Sequence, residues 1–341
     1  MQFDPRNILV IDFGQLGDVV LSLPALRAIR QRFPKARITV AAGRPADEVV
    51  ALSGYADDIF EVDRVGLRDG NKLVSIWRII RFVRHVRQAR FDFVIDLHSL
   101  SETNLLGYLS GASQRLYARR PGRSLDYLAN FKPRPPAEGK DRHAVDRYLD
   151  VIAPLGIQSP PRIPVLKTSS AADVAVDTLL KKEKAQSREL LVGLFPGAGH
   201  LTRRWPLEHY AQLADHLIRN ERVRVIVFSG PEERAMVPNM RTLFPRQTIF
   251  FDRLTIPELV SAQARLTLLV SNDTGPAHLA AAVGVPVIVI MNRSTPHSFI
   301  PLGDHHRLMY GEIITKIGVE TVYQAAQGIL ARSRTDQLIT S

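Results

Sequence analysis

The stretch "SNDTGPAHLAAAVGVPVIVI", residues 271–290, contains the features that decide the fold. It follows the apolar run Leu266–Val270, which is typical of a buried parallel strand ended by turn residues. "AHLAAAV" then predicts a helix that Asp273 or Thr274 can cap, and Gly275 permits close approach of the backbone to a ligand. The polar cluster is therefore expected at the carboxyl end of a strand, where open α/β sheets bind ligands and helix N–H groups favour anions. A phosphate or nucleotide is the first hypothesis, and an ordinary capped turn is the alternative.

Seven apolar runs with strand character alternate with helical patterns along the chain. They are "NILVID", "ARITVAA", "FDFVIDL", "LLVGLFP", "VRVIVFSG", "RLTLLVSN" and "VPVIVIM". This alternation predicts an α/β fold with parallel sheets covered by helices on both faces. Because the pattern restarts near Leu190 after the Pro-rich stretch 157–166, we expect two Rossmann-like domains, residues 1–165 and 166–341, with a closing helix near 319–334.

The composition is that of a globular protein of 341 residues that lacks cysteine. Disulfides, a thiolate nucleophile and a cysteine metal site are thereby excluded. The start "MQFDPRNILVIDFG" does not resemble a signal peptide. Since no apolar stretch reaches the roughly 18 residues of a membrane span, we expect a cytoplasmic protein.

Most of the net charge of +11 falls in one part of the N-terminal half. Residues 64–147 contain seventeen Lys and Arg against eight Asp and Glu. Such a surface suits an anionic membrane, a phosphorylated glycolipid or nucleic acid. Nucleic acid is not expected as a partner, because the stretch has no zinc-finger or RNP pattern.

Residues 73–90, "LVSIWRIIRFVRHVRQAR", predict a basic amphipathic helix. Its apolar side is expected to contain Ile76, Ile79, Phe82, Val83 and Val86, and the opposite side Arg78, Arg81, Arg84 and Arg87. One interpretation is a helix that covers the sheet and exposes its arginines to solvent. The other adds attraction to an anionic membrane surface, near a lipid-linked substrate.

Two further groups of motifs follow predicted strands. In "DFGQLGDVVLSLPALRAI", residues 12–29, Gly14 and Gly17 permit a tight turn and Asp18 stands at the start of a helix, as a cap or as a base. The spacing is neither a dinucleotide fingerprint nor a P-loop. In "FPGAGHLTRRWPLEHY" and "FSGPEERAM", hydroxyl, basic and acidic groups again follow strands, which together favour a nucleotide diphosphate site.

These motifs in this order, with "FDFVIDLHSL" between them, resemble glycosyltransferase family 9, the ADP-heptose:lipopolysaccharide heptosyltransferases. The resemblance implies a GT-B type fold, with two Rossmann-like domains whose parallel sheets face across a cleft. It implies that the N-terminal domain binds mainly an anionic glycolipid acceptor and the C-terminal domain the ADP-heptose donor. It also implies inverting transfer with no cofactor and no essential metal, and the chain contains no Asp-x-Asp triplet.

Residue by residue, the resemblance places Asp18 as the general base. It implies donor contacts from Gly17, Thr202, Arg203, Glu232, Asp273, Thr274, Gly275 and His278, and no metal ligand. Arg203 stands where the family usually has a lysine, Glu233 is an alternative to Glu232, and His278 has an alternative role as a residue packed beneath the loop.

The chain departs from the family pattern at Asp12, where a basic residue is common, and in the segments 97–112 and 292–303. The first two departures leave the acceptor open and the third leaves the donor sugar open. The alternatives are therefore a GT-B transferase or epimerase that uses another nucleotide sugar, and a nucleotide-sugar-binding protein without catalysis. A nicotinamide oxidoreductase is not supported, because the fingerprint is missing.

Overall fold

The computed structural model describes residues 3–63, 72–139, 141–185, 189–293 and 297–340. The chain divides into two compact units, Met1–Pro164 and Val165–Ser341. Each unit contains one parallel sheet with helices, so the predicted α/β class is confirmed.

The first unit contains a parallel sheet of five strands in the order β3-β2-β1-β4-β5. The strands are β1 Asn7–Asp12, β2 Arg37–Gly43, β3 Asp58–Val62, β4 Phe93–Asp96 and β5 Gln114–Tyr117. Since β1 and β4 are neighbours, the strand order reverses between them, with Ile11 paired to Asp96. The carboxyl ends of β1 and β4 therefore flank the switch point of this sheet.

Five described helices surround this sheet: α1 Leu16–Arg32, α2 Ala46–Ser53, α3 Lys72–Gln88, α4 Ser101–Leu109 and α5 Ala144–Ile152. The α1 helix starts with a capping interaction in which the Gln15 N–H donates to the Asp18 carboxylate at 3.0 Å. Its buried side packs on the sheet and on α5. Edge-to-face contacts of Phe3 with Phe33 and Phe93 close the amino end of the core.

The second unit contains a parallel sheet of six strands in the order β11-β10-β9-β6-β7-β8. The strands are β6 Leu191–Phe195, β7 Arg224–Phe228, β8 Ile249–Phe251, β9 Leu268–Asn272, β10 Val287–Asn292 and β11 Arg307–Gly311. The order reverses between β6 and β9, where Phe195 pairs with Ser271.

Six described helices belong to this unit: α6 Ser170–Lys182, α7 Leu207–Glu221, α8 Val237–Leu243, α9 Ile256–Gln263, α10 Gly275–Ala282 and α11 Val319–Thr340. The α11 helix covers the stretch 319–334, where a closing helix is expected, and continues to Thr340. It packs against α7, and buried Glu221 of α7 accepts hydrogen bonds from Tyr323 and Arg334.

The α3 helix differs from the expectation that its whole apolar side covers the sheet. Val86 is buried and Phe82 and Val83 pack against the core, as expected. Ile76 and Ile79, however, are 54% and 47% exposed. The amino-terminal half of α3 therefore extends its apolar side beyond the surface that covers the other half.

No helix among the described residues has the length and apolar character needed to cross a membrane.

Candidate functional site

All the predicted site residues except Glu232 lie at the two switch points of the sheets, and Glu232 follows the neighbouring strand β7. Gly17 and Asp18 follow β1 in the first unit. Thr202 and Arg203 follow β6, and the run from Asp273 to His278 follows β9, so the structure brings these two segments together in the second unit. Carboxyl ends of strands at a switch point are the usual ligand site of open α/β sheets.

Asn272, the last residue of β9, joins the loops around the second switch point. Its side chain is completely buried. The Oδ1 atom accepts a hydrogen bond from the backbone N–H of Trp205 at 3.0 Å. The Nδ2 atom donates to the backbone carbonyls of Pro196 at 2.9 Å and Gly197 at 3.1 Å. One amide side chain thus fixes both the loop that leaves β6 and the segment that enters α7, which is the preorganisation that a ligand site needs.

The two neighbouring arginines of this segment have different roles. Arg204 donates from Nε to the Ala198 carbonyl at 2.9 Å, which holds the loop after β6 in place. Arg203 has 38% of its side chain exposed, and its Nη1 lies 3.8 Å from Asp273 Oδ2. Arg203 is therefore the better placed of the two to meet an anion, with Asp273 to orient it.

Thr202 lies in a short 3₁₀ turn, Leu201–Arg203, that Asn292 at the end of β10 anchors. Asn292 Nδ2 donates to the Thr202 carbonyl at 2.7 Å. The Thr202 hydroxyl lies 2.8 Å from Nδ1 of His200. The exposed hydroxyl of Thr202 is thus held at the same strand ends as Arg203.

The turn after β9 leads directly into α10, whose amino end carries N–H groups without partners in its own helix. Thr274 is its N-terminal cap, and the Ser271 and Thr274 hydroxyls lie 3.2 Å apart. Gly275 is the first helical residue, and His278 is 5% exposed in the first turn beneath the loop. The amino end of this helix favours an anionic group.

Glu232 and Glu233 follow β7 but face different surroundings. Glu232 is exposed, whereas Glu233 is 4% exposed. Glu233 Oε2 accepts the Gly230 N–H at 3.0 Å, and Oε1 lies against Gly197, where a side chain on the glycine would collide with it. Burial raises the pKa of the Glu233 carboxyl. Glu233 thus lies beside the loop that follows β6.

In the first unit, the loop between β1 and α1 is shaped by Asp12 and Gly14. Buried Asp12 accepts the Gly14 N–H at 3.0 Å and the Ser22 hydroxyl at 2.6 Å. A Cβ atom on Gly14 would lie 2.6 Å from the Cβ of Asp18, so glycine is required for Asp18 to sit where it does. Asp12, the acid at which the chain departs from the family pattern, therefore organises the loop that leads to Asp18 in the first turn of α1.

Further charged groups surround this loop. His98 Nδ1 lies 4.0 Å from Asp12 Oδ1. Arg120 donates to the His98 carbonyl at 2.6 Å and pairs with Glu138 at 2.6 Å. Burial, together with the charges of Asp12 and Asp18, raises the pKa of Tyr148 well above its usual range. The segment 97–112 that departs from the family pattern thus contributes His98 beside Asp12.

Asp96 at the end of β4 is completely buried and holds the loop that follows. Its carboxylate accepts the Ser99 N–H and the Asn104 side-chain amide, each at 2.7 Å. Burial outweighs these hydrogen bonds and raises the pKa of Asp96 to about 7.

This pKa makes folding stability depend on pH. The folded carboxyl keeps its proton up to about pH 7, whereas the unfolded one loses it near 3.8, so unfolding releases a proton in that window. The contribution of Asp96 to the free energy of unfolding therefore falls as pH rises through the window, by up to about 1.4 kcal/mol per pH unit. The free energy of unfolding, measured in urea at pH 5 and pH 7, is expected to lose this dependence on pH in Asp96→Asn. The control variant Asp4→Asn, at an exposed position, is expected to keep it. Equal slopes in wild type and Asp96→Asn would contradict the assignment.

Among the described residues, no group of three or more His, Asp or Glu side chains is arranged to hold a metal ion. Residues 294–296 of the third segment that departs from the family pattern lie outside the described residues. The remainder of that segment contributes Asn292 to the site.

Comparison with known proteins agrees with this architecture. The profile of glycosyltransferase family 9 (heptosyltransferase) matches residues 79–320. Lipooligosaccharide heptosyltransferase 2 of Haemophilus influenzae is 26% identical over 326 residues, which are 90% of each chain. A family 9 glycosyl transferase structure from Veillonella parvula superposes with a TM-score of 0.85 at 23% identity, covering 97% of this chain and 99% of the other. The structure of E. coli ADP-heptose LPS heptosyltransferase II superposes with a TM-score of 0.79 at 21% identity, covering 96% of this chain and 99% of the other.

The two Rossmann-like units and these structural matches define a protein of the GT-B type, as predicted. The chain belongs to glycosyltransferase family 9 (heptosyltransferase) and is a glycosyltransferase.

Sequence reasoning missed the residues that hold the site together. Asn272 and Asn292 contact segments 67 to 90 positions away. The available signal was their position, since each is a polar residue that ends a strand beginning with an apolar run. Such a residue is buried at the strand end and must find partners there.

Proposed function

We propose that this protein transfers a heptose from ADP-heptose to a lipopolysaccharide core or a similar anionic glycolipid, with inversion and without a metal ion. The observation that carries the proposal is the family match over residues 79–320, which includes the loops after β6 and β9. The E. coli relative is named for ADP-heptose, which supports this donor.

The proposed reaction is a single displacement. Asp18 takes the proton from an acceptor hydroxyl as that oxygen attacks the anomeric carbon, and the bond from that carbon to the diphosphate oxygen breaks. ADP leaves with the bonding electron pair. Its negative charge is met by Arg203, the Thr202 hydroxyl and the amino end of α10, where Asp273, Thr274, Gly275 and His278 form the turn.

The other proposed donor contacts come from Gly17 and from the turn after β7. Gly17 would allow the donor close to the start of α1. Of the two acids, we propose Glu232 for the ribose hydroxyls, because its side chain is exposed, and Glu233 beside Gly197 is the alternative.

Arg203 supplies a test of the diphosphate site. A charge-assisted hydrogen bond is worth about 1.5–3 kcal/mol, so Arg203→Gln is expected to raise the Kd for ADP roughly 10- to 100-fold. The control variant Arg219→Gln removes the charge of a side chain in α7 that is 75% exposed, and it should leave the Kd for ADP unchanged. Equal ADP affinity for wild type and Arg203→Gln in calorimetry would refute the contact.

We further propose that the enzyme works in the cytoplasm at the inner face of the membrane, because a lipid-linked acceptor is held there. Transfer is tested by following release of ADP from ADP-heptose on addition of heptose-deficient lipopolysaccharide, in the presence of EDTA. The expected product carries the new glycosidic bond in the configuration opposite to that of the donor. Retention of configuration, a strict need for a metal, or turnover with a UDP-sugar instead would refute the corresponding part of the proposal.

A further inference from the structure

The amino-terminal half of α3 exposes an unusual amount of apolar surface. Val74, Ile76, Trp77, Ile79 and Ile80 are between 45% and 57% exposed. Ile76, Ile79 and Ile80 have the i, i+3, i+4 spacing that places side chains on one side of a helix. These exposed side chains form an apolar ridge, and apolar surface of this kind on a folded protein is typical of an interaction surface.

The same helix carries only positive charge. Residues 72–88 include Lys72, Arg78, Arg81, Arg84 and Arg87 and contain neither Asp nor Glu. The described arginines of the helix are exposed, and the Arg81 guanidinium lies over the Trp77 ring at 4.6 Å from its centroid. Basic side chains thus flank the apolar ridge.

The carboxyl-terminal half of α3 fixes the ridge to the fold. Val86 is fully buried, and Phe60 of β3 stacks near Phe82, His85 and Phe91. Arg87 donates to the Leu109 carbonyl of α4. Ser75 in the amino-terminal half is buried as well, so the ridge is presented by a helix that has buried positions in both halves.

We propose that the amino-terminal half of α3 docks on an anionic lipid bilayer, with Ile76, Ile79, Ile80 and Trp77 entering the interface and the arginines contacting lipid phosphates. Apolar side chains on one side of a helix and arginines beside them are the features of a helix that lies in a membrane interface. This proposal deepens the proposed function, on which it rests, by naming the element and the lipid charge that bring the enzyme to its acceptor.

Charge decides between a bilayer and a second copy of the chain. Pairing of two copies through this ridge would bring two helices with five positive charges each together without a compensating acid on either. An anionic lipid surface instead gains attraction from each arginine. The observations therefore favour the bilayer.

The test is co-sedimentation of the full-length protein with vesicles, with no nucleotide or acceptor present. Wild type is expected to bind vesicles of phosphatidylglycerol and phosphatidylcholine, and to bind phosphatidylcholine alone weakly. Because each basic residue near such a surface is worth about a fivefold change in partitioning, Arg78→Gln/Arg81→Gln/Arg84→Gln should reduce binding on the order of 100-fold. Ile76→Ser/Ile79→Ser/Ile80→Ser should reduce binding to both kinds of vesicle.

A matched control removes three exposed arginines elsewhere, Arg219→Gln/Arg222→Gln/Arg246→Gln, and should bind vesicles like wild type. Circular dichroism and ADP titration of every variant establish that the fold and the donor site are intact, so that loss of vesicle binding is separated from loss of the proposed function. Wild-type binding by the α3 variants, no vesicle binding by wild type, or a dimer in sedimentation that the Ile variant abolishes would overturn the proposal.

Discussion

Replacing Asp18 by Asn is expected to lower kcat by about 10²- to 10⁴-fold, the usual contribution of a positioned general base. The substitution keeps the size of the side chain and an oxygen that can accept the Gln15 N–H, so α1 retains its cap. The ability to take a proton and the negative charge are removed. The Kd for ADP should stay within about twofold, since Asp18 is not assigned to the diphosphate.

Steady-state transfer and ADP calorimetry on the same preparation test this expectation. Ser22→Ala is an informative companion, because it removes one hydrogen bond to Asp12 and should weaken the loop without removing the base. A smaller loss of kcat than in Asp18→Asn is expected. Turnover of Asp18→Asn at the wild-type rate would remove Asp18 from the mechanism.

Replacing Asn272 by Leu is expected to destabilise the second unit by about 3–5 kcal/mol. Leucine has a similar volume but leaves the Trp205 N–H and the carbonyls of Pro196 and Gly197 without their partner, and each unsatisfied buried group costs about 1–3 kcal/mol. ADP binding should also weaken at least 10-fold at temperatures where the variant is folded, because the loops after β6 and β9 lose their common anchor.

Urea unfolding followed by tryptophan fluorescence measures this effect, since buried Trp205 reports on the second unit. Asn272→Asp keeps the acceptor for the Trp205 N–H and should lose less stability than Asn272→Leu. The control variant is Asn239→Leu, which makes the same replacement at an exposed position in α8. An unfolding midpoint of Asn272→Leu equal to that of the control would contradict the role given to Asn272.

The strands that could be predicted are the central ones. Each of these strands lies inside a sheet, is buried by helices on both faces and consists mainly of an apolar run. They are β1, β2, β4, β6, β7, β9 and β10. The four strands that sequence reasoning missed, β3, β5, β8 and β11, are the edges of the two sheets. Edge strands are short or half-exposed here, so they lack the continuous apolar run on which the prediction depended.

The helix α3 shows a second limit. Its periodicity predicted the helix correctly, and Val86 is buried as that pattern requires. The pattern cannot tell how far the covering surface extends along the helix. Ile76 and Ile79 have the same spacing as the covered residues and are nevertheless exposed.

For the candidate site, the residues predicted from the sequence lie at strand ends, because turn residues follow apolar runs there. The interactions that shape the site required the structure, since they join residues far apart in the chain. Asn272 with Trp205, and His98 with Asp12, are such pairs. Each depends on which strands are neighbours, and the order of strands in a sheet is not visible in local spacing.

Calorimetric titration of the full-length protein with ADP, UDP, GDP and ADP-heptose in the presence of EDTA shows which nucleotide the donor site takes. We expect ADP and ADP-heptose to bind in preference to the other nucleotides, with affinities that EDTA does not change. A preference for UDP or GDP, or no binding of any of the four, would contradict this expectation.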